Sequence, residues 1–190
     1  MRIIFIRHGR TESNVNHLLD TAFPGAPLDE VGLEQAATLP ERLAHEPIEV
    51  VMTSDIVRAQ QTAEPLARAL GVPLITHPGV REIYAGDWEL DEDWEGYVDV
   101  ITAWNHDRTV SMPNGDDGVS FYARYDAAIA ELEDYECVAV VSHGGALQAW
   151  MRGSTGTPVD DAWILRNTDT IVVEGAPGSW RIVTWADMDL

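Results

Sequence analysis

Cysteine is almost absent from this chain: Cys137 is the only one among 190 residues. A single thiol forms neither an internal disulfide nor a thiolate metal cluster. It lies in the apolar run Cys137-Val138-Ala139-Val140-Val141 and reads as a small buried hydrophobe in a strand. Lysine is missing altogether, so the 12 basic residues are all arginines, set against 32 acids. A formal net charge of -20 argues against nucleic acid and anionic lipid as partners. A solvated acidic exterior with a coding bias against lysine accounts for this more simply than adaptation to high salt. Long apolar runs are lacking too. The N-terminus offers one arginine and then residues 3–6, Ile-Ile-Phe-Ile, too few for a signal-peptide core. No later run approaches a membrane span, so a cytoplasmic protein without membrane contact is the expectation.

There is no internal repeat, low-complexity tract or linker, and the length suits one domain, 1–190. A chain of this size buries about 70% of its unfolded surface and needs neither disulfide nor metal to hold a core. Apolar runs alternate with amphipathic stretches, the pattern of an α/β fold. Strands are predicted at 3–6, 48–53, 73–76, 138–142, 170–174 and 180–185, the last two flanking a turn at 175–179. Helices are predicted from Asp29 to about His45, from Ile56 to Leu70, from Val119 to Asp134, and from just after His143 to Met151. The stretch 87–118 is irregular and acidic and reads as a short lid insertion.

Ligands of open parallel sheets bind beyond the carboxyl ends of the strands. Three polar sets follow predicted strand ends here: Arg7-His8, Ser54 to Arg58, and His143-Gly144-Gly145. In so acidic a chain, arginines beside histidines point to an anionic ligand. Arg7 and Arg58 supply rigid forks of N–H donors suited to phosphate oxygens. Gly144 and Gly145 let backbone N–H groups approach an anion at a helix start. Asn14 adds a neutral donor. A neutral imidazole at the centre is a nucleophile toward phosphorus. A second histidine, if protonated, spreads the charge of a phosphoryl transition state. Glu82 is the best candidate for the acid that protonates the departing oxygen.

Four segments carry a resemblance: "RHGRTESN" (7–14), "SDIVRAQQTA" (54–63), "REIYAGDWE" (81–89) and "VSHGGAL" (141–147). Together with "LDEVGLEQA" (28–36), they resemble the histidine phosphatase superfamily in its phosphoglycerate mutase-like branch. The resemblance implies a three-layer αβα sandwich with a mainly parallel sheet. It implies a phosphohistidine on His8. Arg7, Arg58 and His143 would hold the phosphoryl group, assisted by Asn14 and the Gly144 backbone, and Glu82 would act as general acid and then base. No metal or other cofactor is implied. Arg10 stands where the family usually has glutamate, Leu90 replaces a usual glycine, and Gly118-Val119-Ser120 lacks a common glutamate.

Competing motifs fail. The Gly-x-Ser-x-Gly elbow, the P-loop, the dinucleotide fingerprint and the zinc-protease pattern are all absent. His17, His45, His77 and His106 read as surface or loop residues, and Trp88, Trp94 and Trp104 as pocket or packing residues. The alternatives for Glu82 are an ordinary ion pair with Arg81, or an acid role that belongs to Asp87 or Glu89 instead. Ten acids and one arginine, Arg108, lie in 87–118, a balance expected to repel a bisphosphate. The reading is therefore a metal-independent phosphomonoesterase, of the histidine acid phosphatase type, acting on a small phosphorylated metabolite. A mutase-type phosphoryl transfer and a non-catalytic phosphate or phosphoprotein binder are the alternatives. A homodimeric partner is left open.

Overall fold

The computed structural model describes residues 1–157, 165–186 and 188–189. Its sheet has the order β3-β2-β4-β1-β5-β6-β7. The strands are β1 (Arg2–Arg7), β2 (Val50–Thr53), β3 (Leu74–Thr76), β4 (Cys137–Ser142), β5 (Thr170–Ala176), β6 (Ser179–Trp185) and β7 (Met188–Asp189). β1 to β4 are parallel, while β5 pairs antiparallel with β1 and begins an antiparallel edge through β6 and β7.

Strand alternation explains the layers. Ile3 and Phe5 face one side of β1, with Phe121, Tyr125 and Trp150. Ile4 and Ile6 face the other, with Leu39, Ala59, Ala63 and Leu66. Both faces are covered, so the central strands have no solvent side and read as unbroken apolar runs. The first layer is built from α5 (Gly118–Ala130) and α6 (Gly144–Thr155), the second from α2 (Glu30–Arg42) and α3 (Val57–Leu70). This is the αβα sandwich. Within it Cys137 is a buried free thiol.

Local signals set most boundaries. Asp29 caps α2, its Oδ1 accepting from Gly32 N–H at 2.7 Å, and Pro40 lies inside the helix. α2 ends at Arg42, earlier than the predicted His45. α3 stops at Gly71, whose φ of +69° suits a residue without a Cβ. α5 ends at Ala130, short of Asp134, and α6 runs past Met151 to Thr155. The hairpin between β5 and β6 turns through Pro177-Gly178, with Ala176 opposite Ser179.

Two elements depart from expectation. A short helix, α1 (Glu12–Val15), follows β1 and is closed by a capping box between Thr11 and Asn14. The segment 87–118 is not irregular throughout. It holds α4 (Glu95–Ala103), and Tyr97, Trp104 and Met112 are buried in the core that α5 shares. The Trp104 ring stacks on Phe121 at 5.6 Å. Acids at 95 and 99 mask a helix whose apolar positions 97, 98, 101 and 104 keep helical spacing. Among the described residues, no helix is long and apolar enough to cross a membrane.

Candidate active site

β1, β2 and β4 end side by side, and the polar sets that follow them meet there. One cavity of about 300 Å³ is lined by Arg7, His8, Asn14, Arg58, Glu82 and Gly144, among others. Buried His143 lies under its floor, with its ring 5.2 Å from that of His8.

His8 leaves β1 with its N–H on Ser142 O at 3.0 Å. Its Nδ1 lies 2.7 Å from Gly9 O. A carbonyl only accepts, so Nδ1 carries the proton and Nε2 keeps the lone pair. Arg58 Nε donates to that Nε2 at 3.1 Å. Burial first, then the charges of Arg58 and Arg7, hold the His8 pKa well below the ordinary imidazole value. His8 is therefore a neutral, oriented imidazole.

Arg58 comes from the first turn of α3 and is 2% exposed. Its Nη2 donates to Asp20 O at 2.7 Å. Its Nη1 lies 3.4 Å from Asp20 Oδ1 and makes no hydrogen bond with a described residue. Arg7 donates through Nη1 to Leu165 O at 2.6 Å, while its buried Nε is also unpaired. Both ring nitrogens of His143 are buried without a partner. Burial and the Arg58 charge, the two largest causes, keep the His143 pKa well below the usual imidazole value. Before a ligand arrives this ring is neutral, not the cation that a charge-spreading role would use.

Asn14 Oδ1 accepts from Thr11 N–H and from Asn167 Nδ2, each at 3.1 Å, which leaves the Asn14 amide nitrogen as its donor. Asn167 also donates to His8 O at 3.0 Å.

Glu82 does not pair with Arg81, which pairs with Asp55. Its Oε2 accepts from Gly145 N–H at 3.0 Å, and its Oε1 from Ala146 N–H at 2.6 Å and Ile83 N–H at 2.9 Å. The first turn of α6 thus holds this carboxyl, where the sequence suggested that Gly145 would meet the ligand. A Cβ on Gly145 would stand 2.9 Å from Glu82 Oε1, so a larger residue there would press on the carboxyl. Burial raises the Glu82 pKa above the ordinary carboxyl value, against the pull of these N–H groups and of Arg58.

Sequence reasoning missed the supporting residues. Asp20 fixes Arg58. Thr62 accepts from Gly9 N–H at 2.9 Å and donates to Arg58 O at 2.7 Å, inside a segment already singled out. Glu89 accepts from Thr21 N–H and Ala22 N–H, each at 2.9 Å, and so holds the loop that carries Asp20. Arg10 pairs with Asp29 at 2.7 Å. His17, His45 and His106 are exposed, and His77 caps a short turn.

Residues 3–188 match the family model of the histidine phosphatase superfamily, branch 1. The chain belongs to that superfamily. The adenosylcobalamin/alpha-ribazole phosphatase of Escherichia coli (strain K12) is 31% identical over 177 residues, covering 87% of this chain and 85% of the relative. The metal-independent phosphoserine phosphatase of Arabidopsis thaliana is 31% identical over 202 residues, covering 98% and 81%. Among solved structures, a mycobacterial glucosyl-3-phosphoglycerate phosphatase in complex with VO3 superposes with a TM-score of 0.82 at 27% identity, covering 97% of this chain and 98% of that one. A superfamily whose relatives carry phosphatase names is the setting for the buried donors around His8.

Proposed function

We propose that this histidine phosphatase superfamily member is a metal-independent phosphomonoesterase working through a phosphohistidine on His8. The observation that carries the reading is the set of buried polar atoms beside His8 that make no hydrogen bond with a described residue: Arg7 Nε, Arg58 Nη1 and the His143 ring nitrogens. The arginine N–H groups and the protonated nitrogen of the neutral His143 ring each cost free energy unless an acceptor meets them. A phosphoryl group has three acceptor oxygens, and guanidinium forks match them.

In the first step His8 Nε2 attacks phosphorus. The bond from phosphorus to the leaving oxygen breaks, its electron pair stays on that oxygen, and Glu82 protonates it. In the second step water attacks the phosphohistidine and gives its proton to Glu82. The P–N bond breaks, and its pair returns to Nε2. The two arginines supply the charge neutralisation that a metal ion gives elsewhere. His143 and the Asn14 amide complete the cradle, with the Gly144 backbone beside them. A dianion bound against His143 would raise its pKa, so the ring can take up a proton as substrate binds. Residues 87–118 serve as the lid of a single domain, roofing the cavity through α4.

Phosphatase is favoured over mutase by the cavity's composition. A bisphosphate intermediate needs cations for a second phosphate. Beyond the floor, Arg152 on α6 is the one lining cation among the described residues, and α4 contributes none. The acids of 87–118 do not decide the matter, because none of them lines the cavity. The expectation that they repel a bisphosphate inside the site is corrected: Glu95 and Asp99 lie on the solvent face of α4. The non-catalytic alternative is disfavoured by the oriented Nε2 lone pair of His8, which a mere phosphate binder does not need.

Two results are expected. Arg58→Ala should lower kcat/KM by about 10²–10³, the scale for removing one transition-state donor, in steady-state assays in EDTA. Lysine at this position should not restore it, since an ammonium cannot reach both His8 and the phosphoryl group as a fork does. Inorganic phosphate or vanadate at about 100 times its Kd should stabilise the wild type by about 2.7 kcal/mol, roughly 5–10 °C in Tm. Thermal melts showing no shift with either anion would count against the cradle.

A further inference from the structure

The cavity above the phosphoryl cradle has two unlike walls. One is a face of α6, with Gly144, Gln148 and Arg152 in successive turns. The other is mainly apolar: Trp94, Tyr97, Val98 and Ile101 at the helical spacing of α4, with Thr102 following and Leu18 and Leu19 beside them. Trp94 and Val98 remain 40% and 45% exposed, although both line a concave site.

This apolar wall is anchored. The Trp94 indole donates through Nε1 to His17 O at 2.7 Å. Its ring meets Tyr97 edge-on, with centroids 6.4 Å apart at 76°. Tyr97 is held in turn by its hydroxyl, which donates to Ile83 O at 3.0 Å, next to Glu82. A rigid aromatic and aliphatic surface therefore stands in the same small cavity as the phosphate donors and the proposed acid. A polyhydroxylated leaving group would lose hydrogen bonds to water on the side laid against it, although Gln148 and Arg152 on the facing wall could meet hydroxyls turned the other way. A flat apolar ring would cover exposed apolar surface and meet aromatic edges. At about 300 Å³ the cavity is at the small end of ligand sites, which fits a compact alcohol and not a protein segment.

We infer, building on the phosphatase reading of this site, that the preferred substrate is a phosphate monoester of an alcohol carrying an aromatic or similarly flat apolar ring. The ring seats against Trp94 and Val98, which are specificity-determining residues. A sugar alcohol or a second phosphate does not fit that wall.

The test compares phenethyl phosphate with glycerol phosphate and with a hexose phosphate esterified at its primary alcohol. All three leave as primary alcohols, so the comparison reads the ring and not the demand for a proton. The purified full chain should show a kcat/KM for phenethyl phosphate at least about 10-fold above the other two. Trp94→Ala should lower the ratio of phenethyl to glycerol phosphate by about 10-fold. Val98→Asn, a milder change at an exposed position, should lower the same ratio by about 3-fold and guards against a misfolded Trp94 variant. Preference for the polyhydroxylated esters, or a ratio unmoved in both variants, would overturn the leaving-group assignment while leaving the phosphatase intact. Cleavage of none of the esters, with no labelled enzyme formed, would remove the phosphatase reading and this inference with it.

Discussion

Replacing His8 by alanine should abolish turnover, with a fall in kcat of roughly 10⁵–10⁶, the scale seen when a nucleophile is removed. The atom lost is Nε2, whose lone pair is fixed by the Nδ1 contact to Gly9 O and addressed by Arg58 Nε. No other described side chain is placed to replace it. Its neighbour His143 is neutral but precedes a different helix and lacks the orienting contact to a carbonyl. The variant should keep its fold, because the ring is a small part of a core dominated by the two-sided sheet, and circular dichroism with a thermal melt checks this. A wild-type intermediate labelled from a radioactive ester should be stable in alkali and labile in acid, as a P–N bond is, and should be missing from the variant. Full activity in His8→Ala would end the mechanism.

Glu82→Gln should lose about 10²–10⁴ in rate on alkyl phosphates and much less on p-nitrophenyl phosphate, whose leaving group needs little protonation. A glutamine oxygen can accept on one side only, and its NH2 cannot accept from the N–H that the other carboxyl oxygen meets. A thermal melt must therefore show that the start of α6 is kept before the loss is assigned to the proton. The pH profile gives a second reading. In the proposed mechanism, turnover needs His8 without its proton and Glu82 with one. The His8 pKa is lowered, so the nucleophile survives further into acid. The Glu82 pKa is raised, so the acid stays protonated further toward neutral pH. The acid limb of kcat/KM therefore belongs to His8 and the alkaline limb to Glu82. Glu82→Gln should flatten the alkaline limb on alkyl esters and leave the acid limb in place. Equal losses on both kinds of ester would refute the acid role.

The floor of the site was legible because its residues sit at strand ends, where sequence order fixes position. Once β1, β2 and β4 are recognised as parallel neighbours, Arg7, His8, Arg58 and His143 must meet. The supports of that floor were not legible. Asp20, Glu89 and Asn167 act through contacts across loops, and no spacing rule links Glu89 to Thr21 or Asn167 to His8. The helix inside 87–118 is hidden for another reason. The acid count describes the segment as a whole, but a helix has two faces, and α4 turns Tyr97 inward while Glu95 and Asp99 meet water. The apolar spacing that reveals α4 was present and was outweighed by the charges around it.

The anchoring of α4 bears on how such an enzyme changes over time. Tyr97, Trp104 and Met112 tie the segment to the core, whereas Trp94 and Val98 stay half open to solvent. On the proposed reading, substitutions at those two half-exposed positions would change what the cavity accepts, Val98 at less structural cost than Trp94, whose indole is hydrogen-bonded to His17 O. The residues of the cradle sit on other elements, β1, α1, α3 and the start of α6. If the proposed roles hold, substrate range could drift along one helix face while the phosphoryl-transfer residues are kept, and a lineage with this architecture could take up new esters without passing through an inactive ancestor.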